Sequence, residues 1–234
     1  MLIPSIDLMG GRIVQLVQGE KKALEFDNFE EWIVRFSSFP LVQLIDLDAA
    51  MGEGNNRNLV EMFSRRLPCQ VGGGIRSLDA ARAILDWGAR RVILGSALIR
   101  NGAVEAAFAR QAAGQLGQDK LVFAIDARGG KVAIRGWKEI TSITPVEVVR
   151  ALDPYCGAFL YTHIDTEGLM AGLPLGPVRE LRDTASRQLI VAGGISTQAE
   201  IEQLDGMGVD AVVGMALYLG KLNMGPLRAE NTRV

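Results

Sequence analysis

The chain has 234 residues, of which 48% are hydrophobic and 22% are charged, and its formal net charge is −2. This composition is that of a globular protein and excludes a disordered chain, a coiled coil and a collagen-like fibre. The balanced charge gives no support to nucleic-acid binding, and no apolar run is long enough to cross a membrane. We expect a cytoplasmic protein in which Cys69 and Cys156 are reduced and buried.

Eight short apolar segments rich in β-branched residues predict buried parallel strands, because their hydrophobicity is continuous and not alternating. In chain order these are residues 2–6, 41–47, 69–71, 91–94, 121–125, 158–162, 189–192 and 211–213. The helical patterns between them cover residues 29–39, 77–88, 101–116, 145–152 and 177–186. A further helix is indicated by Thr197 and Glu200, which have the spacing of a capping box.

Strands that alternate with helices are typical of βαβ units around a parallel sheet. Eight such units in 234 residues favour a closed (β/α)8 TIM barrel that forms a single domain over residues 1–234. An open, doubly wound sheet is the alternative.

The two halves of the chain resemble each other at a nearly constant offset. The corresponding segments are 4–7 with 123–126, 10–14 with 129–133, 71–77 with 191–197, and 92–98 with 211–217. This internal repeat predicts two fused half-barrels, of about residues 1–119 and 120–234, related by an approximate two-fold axis.

Each half ends its first strand with a carboxylate, Asp7 in one and Asp126 in the other. Active sites of such barrels lie at the carboxyl ends of the strands, so the two-fold axis would place both side chains across one cleft. A single strand-end Asp is more often a loop cap, but the matched pair favours a general acid and a general base.

Glycine-rich turns follow the third and fourth strands of each half. Turns of this kind open helices and leave backbone N–H groups free to bind an anion, so they predict two phosphate sites that face each other. The candidate residues are Gly73, Gly74, Gly95, Ser96, Gly193, Gly194, Gly214 and Met215. Arg76, beside the first turn, is a candidate for charge-assisted bonds to a phosphate.

Four other residues near strand ends are informative. Trp137 lies in the loop after the fifth strand, where its ring can stack on a flat heterocycle, and Arg135 stands beside it. Thr162 ends the sixth strand and can orient a substrate hydroxyl. His163, the single histidine, is interpreted as a satisfied polar group and not as a catalyst.

These residues belong to motifs that resemble the phosphoribosylformimino-5-aminoimidazole carboxamide ribotide isomerases of histidine biosynthesis, from Met1 to about Gly220. The motifs are IPSIDL (3–8), QVGGGIRS (70–77), VILGSALI (92–99), AIDARGGKVAIRGW (124–137), YTHIDTEG (161–168), VAGGIS (191–196) and VVGMALY (212–218). The resemblance implies an Amadori rearrangement of an aminoaldose bisphosphate to an aminoketose, with no metal or other cofactor. We expect a monomer without nucleic-acid or membrane partners.

The resemblance also implies roles for individual residues. Asp7 is the general base that removes the C2′ proton, Asp126 is the general acid that assists ring opening, and Thr162 supports the substrate. Glu167 is an alternative acid. Two loops are expected to close over the substrate, residues 15–28 with Gly19 and the stretch around 135–137. Gly172 completes the expected binding residues.

Several positions depart from the residues common in this family. They are Gln15, Gln43, His163, Glu167 and Leu169, where Arg, His, Asp, Asp and Thr are frequent. These departures leave open a phosphate-binding barrel with weakened or lost catalysis. A dual-substrate isomerase that also converts phosphoribosylanthranilate is a second alternative. The sister cyclase of the pathway is disfavoured by Ser5 and Gln15, where it has Cys and Lys.

Overall fold

The computed structural model describes residues 1–222, so the end of the second predicted repeat, residues 223–234, lies outside the described residues. The described chain forms a closed barrel of eight parallel strands. The strands are β1 Leu2–Met9, β2 Val42–Asp46, β3 Cys69–Gly72, β4 Arg91–Leu94, β5 Leu121–Arg128, β6 Ala158–His163, β7 Gln188–Ala192 and β8 Val209–Val213. Each pairs in parallel with the next, and β8 pairs with β1. The predicted (β/α)8 barrel is confirmed, and the open sheet is wrong.

Helices follow the strands around the outside of the barrel. They are α1 Phe29–Phe36, α2 Leu47–Met51, α3 Arg57–Arg66, α4 Leu78–Asp86, α5 Ala106–Leu116, α6 Pro145–Leu152, α7 Leu175–Thr184, α8 Gln198–Gly206 and α9 Met215–Tyr218. The capping box predicted at Thr197 is present, because its hydroxyl accepts from the Glu200 N–H and the Glu200 carboxylate accepts from the Thr197 N–H. Over residues 1–222, no helix is both long and apolar enough to span a membrane.

Three β-hairpins project from the carboxyl end of the barrel or its loops, and the sequence patterns did not predict them. They pair Arg12–Val17 with Lys21–Phe26, Ile99–Arg100 with Ala103–Val104, and Lys131–Ile134 with Glu139–Ile140. The helix expected over 101–116 therefore begins only at Ala106. The loop expected over 15–28 is largely the first of these hairpins.

A pair of glycines folds each of the two long strands back on itself. Gly10 and Gly11 have φ of +58° and +75°, and Gly129 and Gly130 have φ of +56° and +74°. Positive φ at both central residues is the geometry of the tight turn that best matches strand twist. These turns pair β1 with Arg12–Val17 and β5 with Lys131–Ile134 as antiparallel neighbours, so the recurring Gly-Gly pairs were the missed signal for the strands that follow β1 and β5.

Apolar side chains pack in two layers. The larger layer lies between the sheet and the helices, and the smaller one fills the inside of the barrel. The inner layer includes Ile3, Leu41, Ile93, Val122, Leu160, Ile190 and Val212. These side chains close the interior below the rim, so the functional cavity opens at the carboxyl ends of the strands.

The capping box of α8 generates a stability prediction. Thr197→Ala removes the hydroxyl that accepts from the Glu200 N–H, so we expect the free energy of unfolding in urea to fall by about 1 kcal/mol. Thr184→Ala is the matched control, because that hydroxyl donates only to the Glu180 carbonyl inside α7. Equal losses in the two variants would contradict a specific contribution from the cap.

Candidate active site

A cavity of about 210 Å³ opens at the carboxyl ends of the strands. Most of the predicted site residues line it, although they come from all parts of the chain. They are Asp7, Gly19, Gly73, Gly74, Arg76, Gly95, Ser96, Asp126, Trp137, Thr162, Glu167, Gly193, Gly194, Gly214 and Met215. The barrel therefore brings together the carboxylates and the glycine turns that the repeat predicted to face one another.

Two predicted residues, Arg135 and Gly172, do not line the cavity. The Arg135 side chain is 74% exposed and forms an ion pair with Glu139 at 3.4 Å. Its backbone N–H donates to the Ser96 Oγ at 2.8 Å, so Arg135 contacts the site only through its main chain. Gly172 donates its N–H to the Gly194 carbonyl at 3.1 Å and supports that turn from behind.

The glycine turns after β3 and β7 require glycine for steric reasons. Gly73 and Gly193 have φ of +100° and +117°. A Cβ atom on Gly73 would lie 2.1 Å from the Asp46 carbonyl oxygen, and one on Gly193 would lie 2.5 Å from the His163 carbonyl oxygen. Both distances are far shorter than van der Waals contact. Each turn therefore brings its backbone against the neighbouring strand end in the same way.

The turns after β4 and β8 also repeat each other. Gly95 has φ of −122° and ψ of −95°, and Gly214 has φ of −108° and ψ of −95°. A short helical turn starts directly after each, at Ser96 and at Met215. The first N–H groups of a helical turn have no partner within it, so both positions present donors suited to a phosphate.

Asp7 lies at the mouth of the barrel in an apolar environment. Its neighbour across the β1–β2 pair is Ile45, and its hydrogen-bond donor is the Ser5 hydroxyl, at 3.0 Å. Burial raises the pKa of Asp7 to about 6, and the Ser5 hydrogen bond offsets only part of that rise. At neutral pH the side chain is therefore ionised and still sufficiently basic to accept a proton.

Asp126 occupies the equivalent position on β5 but has more polar neighbours. The Trp137 Nε1–H donates to its Oδ2 at 2.9 Å, and Thr162, its neighbour in register on β6, donates a second hydrogen bond. Burial raises the pKa of Asp126, while the two hydrogen bonds oppose that rise. The two matched carboxylates thus differ in their surroundings, as a general acid and a general base require.

Glu167 adds a third carboxyl group to the cavity, from the loop after β6. Burial, and then repulsion from Asp7 and Asp126, raise the pKa of Glu167 to about 8. This group holds a proton at neutral pH while Asp7 is ionised.

In the part of the chain that the structure describes, no three His, Cys, Asp or Glu side chains are grouped to hold a metal ion.

The loops at the mouth contact one another across the cavity. A Cβ atom on Gly19 would lie 2.6 Å from Cε3 of Trp137, and one on Gly168 would lie 2.4 Å from the Leu16 carbonyl oxygen. The Gln18 N–H donates to the Glu167 carbonyl at 3.0 Å. The first hairpin, the 135–137 stretch and the loop after β6 therefore form one cover over the site.

Three residues with polar side chains that line the cavity, Ser5, Gln15 and Gln43, were absent from the predicted set. Ser5 precedes Asp7 by two residues on a strand, so the period of two that places side chains on one face was an available signal. Gln15 and Gln43 stood out only as departures from the family. Gln15 is 4% exposed, and its Oε1 lies 2.3 Å from where a Cβ of Gly214 would be, which places it against the second set of turns.

The chain is similar to proteins of known activity over nearly its whole length. A family model described as "Histidine biosynthesis protein" matches residues 1–223. Three relatives share the name 1-(5-phosphoribosyl)-5-((5-phosphoribosylamino)methylideneamino) imidazole-4-carboxamide isomerase. The protein from Methanocaldococcus jannaschii is 37% identical over 231 residues, with 96% of both chains covered. That from Methanococcus voltae is 37% identical, covering 93% of this chain and 92% of its own. That from Methanosphaera stadtmanae is 33% identical, with 96% of both covered.

The raised pKa of Asp7 generates a prediction about stability. A carboxyl group whose pKa rises from 3.8 to about 6 on folding destabilises the folded state as it ionises, by up to about 3 kcal/mol. We expect the free energy of unfolding of Asp7→Asn to exceed that of the wild type increasingly as the pH is raised from 4 to 7. Urea titrations across this range measure the difference. Asp183→Asn, at an exposed position of α7, is the control and should show no such trend.

Proposed function

The chain belongs to the histidine biosynthesis protein family, and from this we propose that it is the isomerase its relatives are named for. The substrate in that name carries two phosphoribosyl groups joined through an imidazole. The observation that supports this function best is the pair of matching glycine turns facing each other across the cavity, with Asp7 and Asp126 between them. A bisphosphate of this kind has one anionic group for each set of turns.

We assign one phosphate to each half of the barrel. The turns at Gly73 and Gly95 hold the first, and those at Gly193 and Gly214 hold the second, largely through backbone N–H groups. Arg76 lines the cavity beside the first site and is anchored by a hydrogen bond to the Ala50 carbonyl, at 3.1 Å. Its remaining N–H groups are available to the first phosphate.

The reaction requires one proton to be given and another to be removed. Protonation of the ring oxygen breaks the C1′–O bond of the aminoaldose and leaves an iminium group. Asp7 then removes the proton from C2′ and leaves an enolamine, which becomes the aminoketose when its C2′ hydroxyl loses a proton and C1′ gains one. C1′ is reduced and C2′ is oxidised within the same molecule, so electrons balance without an external oxidant or reductant. Thr162 supports the substrate beside Asp126.

The acid that opens the ring is Asp126 or Glu167. The resemblance favours Asp126, whereas the proton held by Glu167 at neutral pH favours Glu167. Asp126 receives two hydrogen bonds, from Trp137 and Thr162, which stabilise its ionised form. We therefore propose Glu167 as the source of the proton, with Asp126 as the second candidate.

We further propose a cytoplasmic monomer that acts on this small bisphosphate and has no nucleic-acid partner. Its two halves, of about residues 1–119 and 120–234, are fused copies of one half-barrel within a single domain. The near-identical backbone angles of Gly95 and Gly214 support this origin.

Turnover of the aminoaldose bisphosphate by the purified protein is the direct test. We expect conversion by the wild type, and a loss of at least 100-fold in kcat for Asp7→Asn, because general bases contribute factors of about 10²–10⁴. The same assay is applied to Asp126→Asn and to Asp183→Asn, which is the control at an exposed position. Parallel assays use phosphoribosylanthranilate as the substrate. Binding without turnover in the wild type would instead identify a phosphate-binding barrel, and turnover of both substrates would identify a dual-substrate isomerase.

The pH dependence of kcat distinguishes the two candidate acids. The rate of the wild type should fall below pH 6 as Asp7 becomes protonated, and above pH 8 as Glu167 loses its proton. In Glu167→Gln, we expect a slower rate without the decline above pH 8. If that decline persists in Glu167→Gln, the acid is Asp126.

A further inference from the structure

Polar side chains inside the barrel form a connected chain of hydrogen bonds that reaches the cavity at Gln43 and that the proposed reaction does not yet use. We propose that Arg91 and Gln70 are positioning residues that fix the amide orientation of Gln43, which donates a hydrogen bond to the C2′ oxygen of the reacting sugar. That Gln43 contacts the C2′ oxygen rests on the proposed function. That Arg91 and Gln70 fix the orientation of the Gln43 amide rests only on the hydrogen bonds among these side chains.

The chain of hydrogen bonds begins at Arg91, the first residue of β4. Its guanidinium donates to the Gln188 Oε1 at 2.7 Å and to the Gln70 Oε1 at 3.0 Å. The Gln70 Nε2 donates in turn to the Gln43 Oε1 at 2.9 Å. Gln43, Gln70 and Arg91 are direct neighbours in register on β2, β3 and β4, so the sheet itself places them in a row.

The direction of every bond in this row follows from Arg91. A guanidinium has donors only, whereas a glutamine amide has an acceptor end and a donor end of similar size. Gln70 must therefore present its oxygen to Arg91 and its nitrogen to Gln43. Gln43 must then present its oxygen to Gln70, which leaves its Nε2 as the free end. A fixed charge on β4 thus sets which atom of a side chain two strands away is available.

The free end of Gln43 borders the cavity. The residue is only 6% exposed and lines the space below Asp7. Among residues 1–222, its Nε2 has no acceptor. The Nε2 is open to the cavity and has no protein partner in that range, so it is available to a ligand that supplies an acceptor.

The position of Gln43 next to the proposed base indicates which ligand atom accepts a hydrogen bond from its Nε2. Gln43 faces Ser5 in register, and Ser5 donates to Asp7, so Gln43 lies on the strand next to the proposed base. When Asp7 removes the C2′ proton, the product is an enolamine whose C2′ oxygen is still a hydroxyl. That oxygen becomes a carbonyl in the next step, as the hydroxyl loses its proton and C1′ gains one. An amide N–H directed at this oxygen stabilises the carbonyl that develops in that step more than the hydroxyl of the bound substrate. Because the amide does not titrate, it leaves the protonation of Asp7 unchanged.

The row of hydrogen bonds from Arg91 through Gln70 to Gln43 is called the relay below. Gln70→Glu tests this relay by reversing the orientation of the Gln43 amide. The introduced carboxylate still accepts from Arg91 but cannot donate, so Gln43 turns its Nε2 towards that carboxylate and its Oε1 towards the cavity. We expect kcat to fall by about 100-fold, the lower end of the loss seen when one donor to a reacting oxygen is removed, with less than about a 3-fold change in KM. Gln188→Leu is the matched control, because it removes the other glutamine acceptor of Arg91 without touching Gln43. Its kcat should stay within about 2-fold of the wild type.

A double-variant cycle separates positioning from a structural role. If Gln70 acts through Gln43, Gln70→Glu should have little further effect on kcat in a Gln43→Met background. A full additional loss there, or equal losses in Gln70→Glu and Gln188→Leu, would overturn the proposal. Melting temperatures of all variants show whether each remains folded.

Side-chain amide exchange of ¹⁵N-labelled protein tests the orientation without any substrate. We expect the Gln70 amide protons to be protected and those of Gln43 to exchange with cavity water. In Gln70→Glu, the Gln43 amide protons should become protected. An unchanged Gln43 signal would overturn the relay. Absence of turnover in the wild type, with the exchange result as expected, would refute the proposed function and the C2′ contact but leave the relay standing.

Discussion

Closure of the parallel sheet, through the pairing of β8 with β1 and of β4 with β5, is the constraint on which the other features depend. Because all eight strands run the same way, their carboxyl ends share one rim, and residues half a chain apart meet there. Asp7 and Asp126 become neighbours of one cavity only through this closure. Below the rim, the inner apolar layer and the row of polar side chains from Arg91 to Gln43 fill the barrel, so the cavity opens at the rim.

The two halves agree in backbone and differ in side chains. Gly95 and Gly214 adopt nearly the same conformation, whereas Asp7 lies beside Ile45 and Asp126 lies beside Thr162. Anion binding by main-chain donors tolerates no change in backbone, but proton transfer requires two carboxyl groups with different proton affinities. The two halves therefore differ in the side chains around the acids, where a perfect two-fold axis would make both groups equivalent.

Features that depend on local pattern were predictable from the sequence. Continuous apolar runs gave the strands, the Thr197 capping box gave α8, and repeated glycine motifs gave the turns. The cover over the site was predictable only in part, because the contact of Gly19 with Trp137 joins two distant loops. The row from Arg91 to Gln43 was not predictable, since each bond in it joins different strands and depends on their register. The sequence alone does not indicate whether the oxygen or the nitrogen of a glutamine amide is free to bind a ligand.

The glycine turns have a consequence for how this protein changes over generations. The phosphate sites proposed here use mainly main-chain donors, with Arg76 beside the first, so most substitutions around them would remove no contact to a phosphate. They are lost only when a side chain is added, as at Gly73, where it would collide with the Asp46 carbonyl. The reactive centre between them is free to vary in comparison.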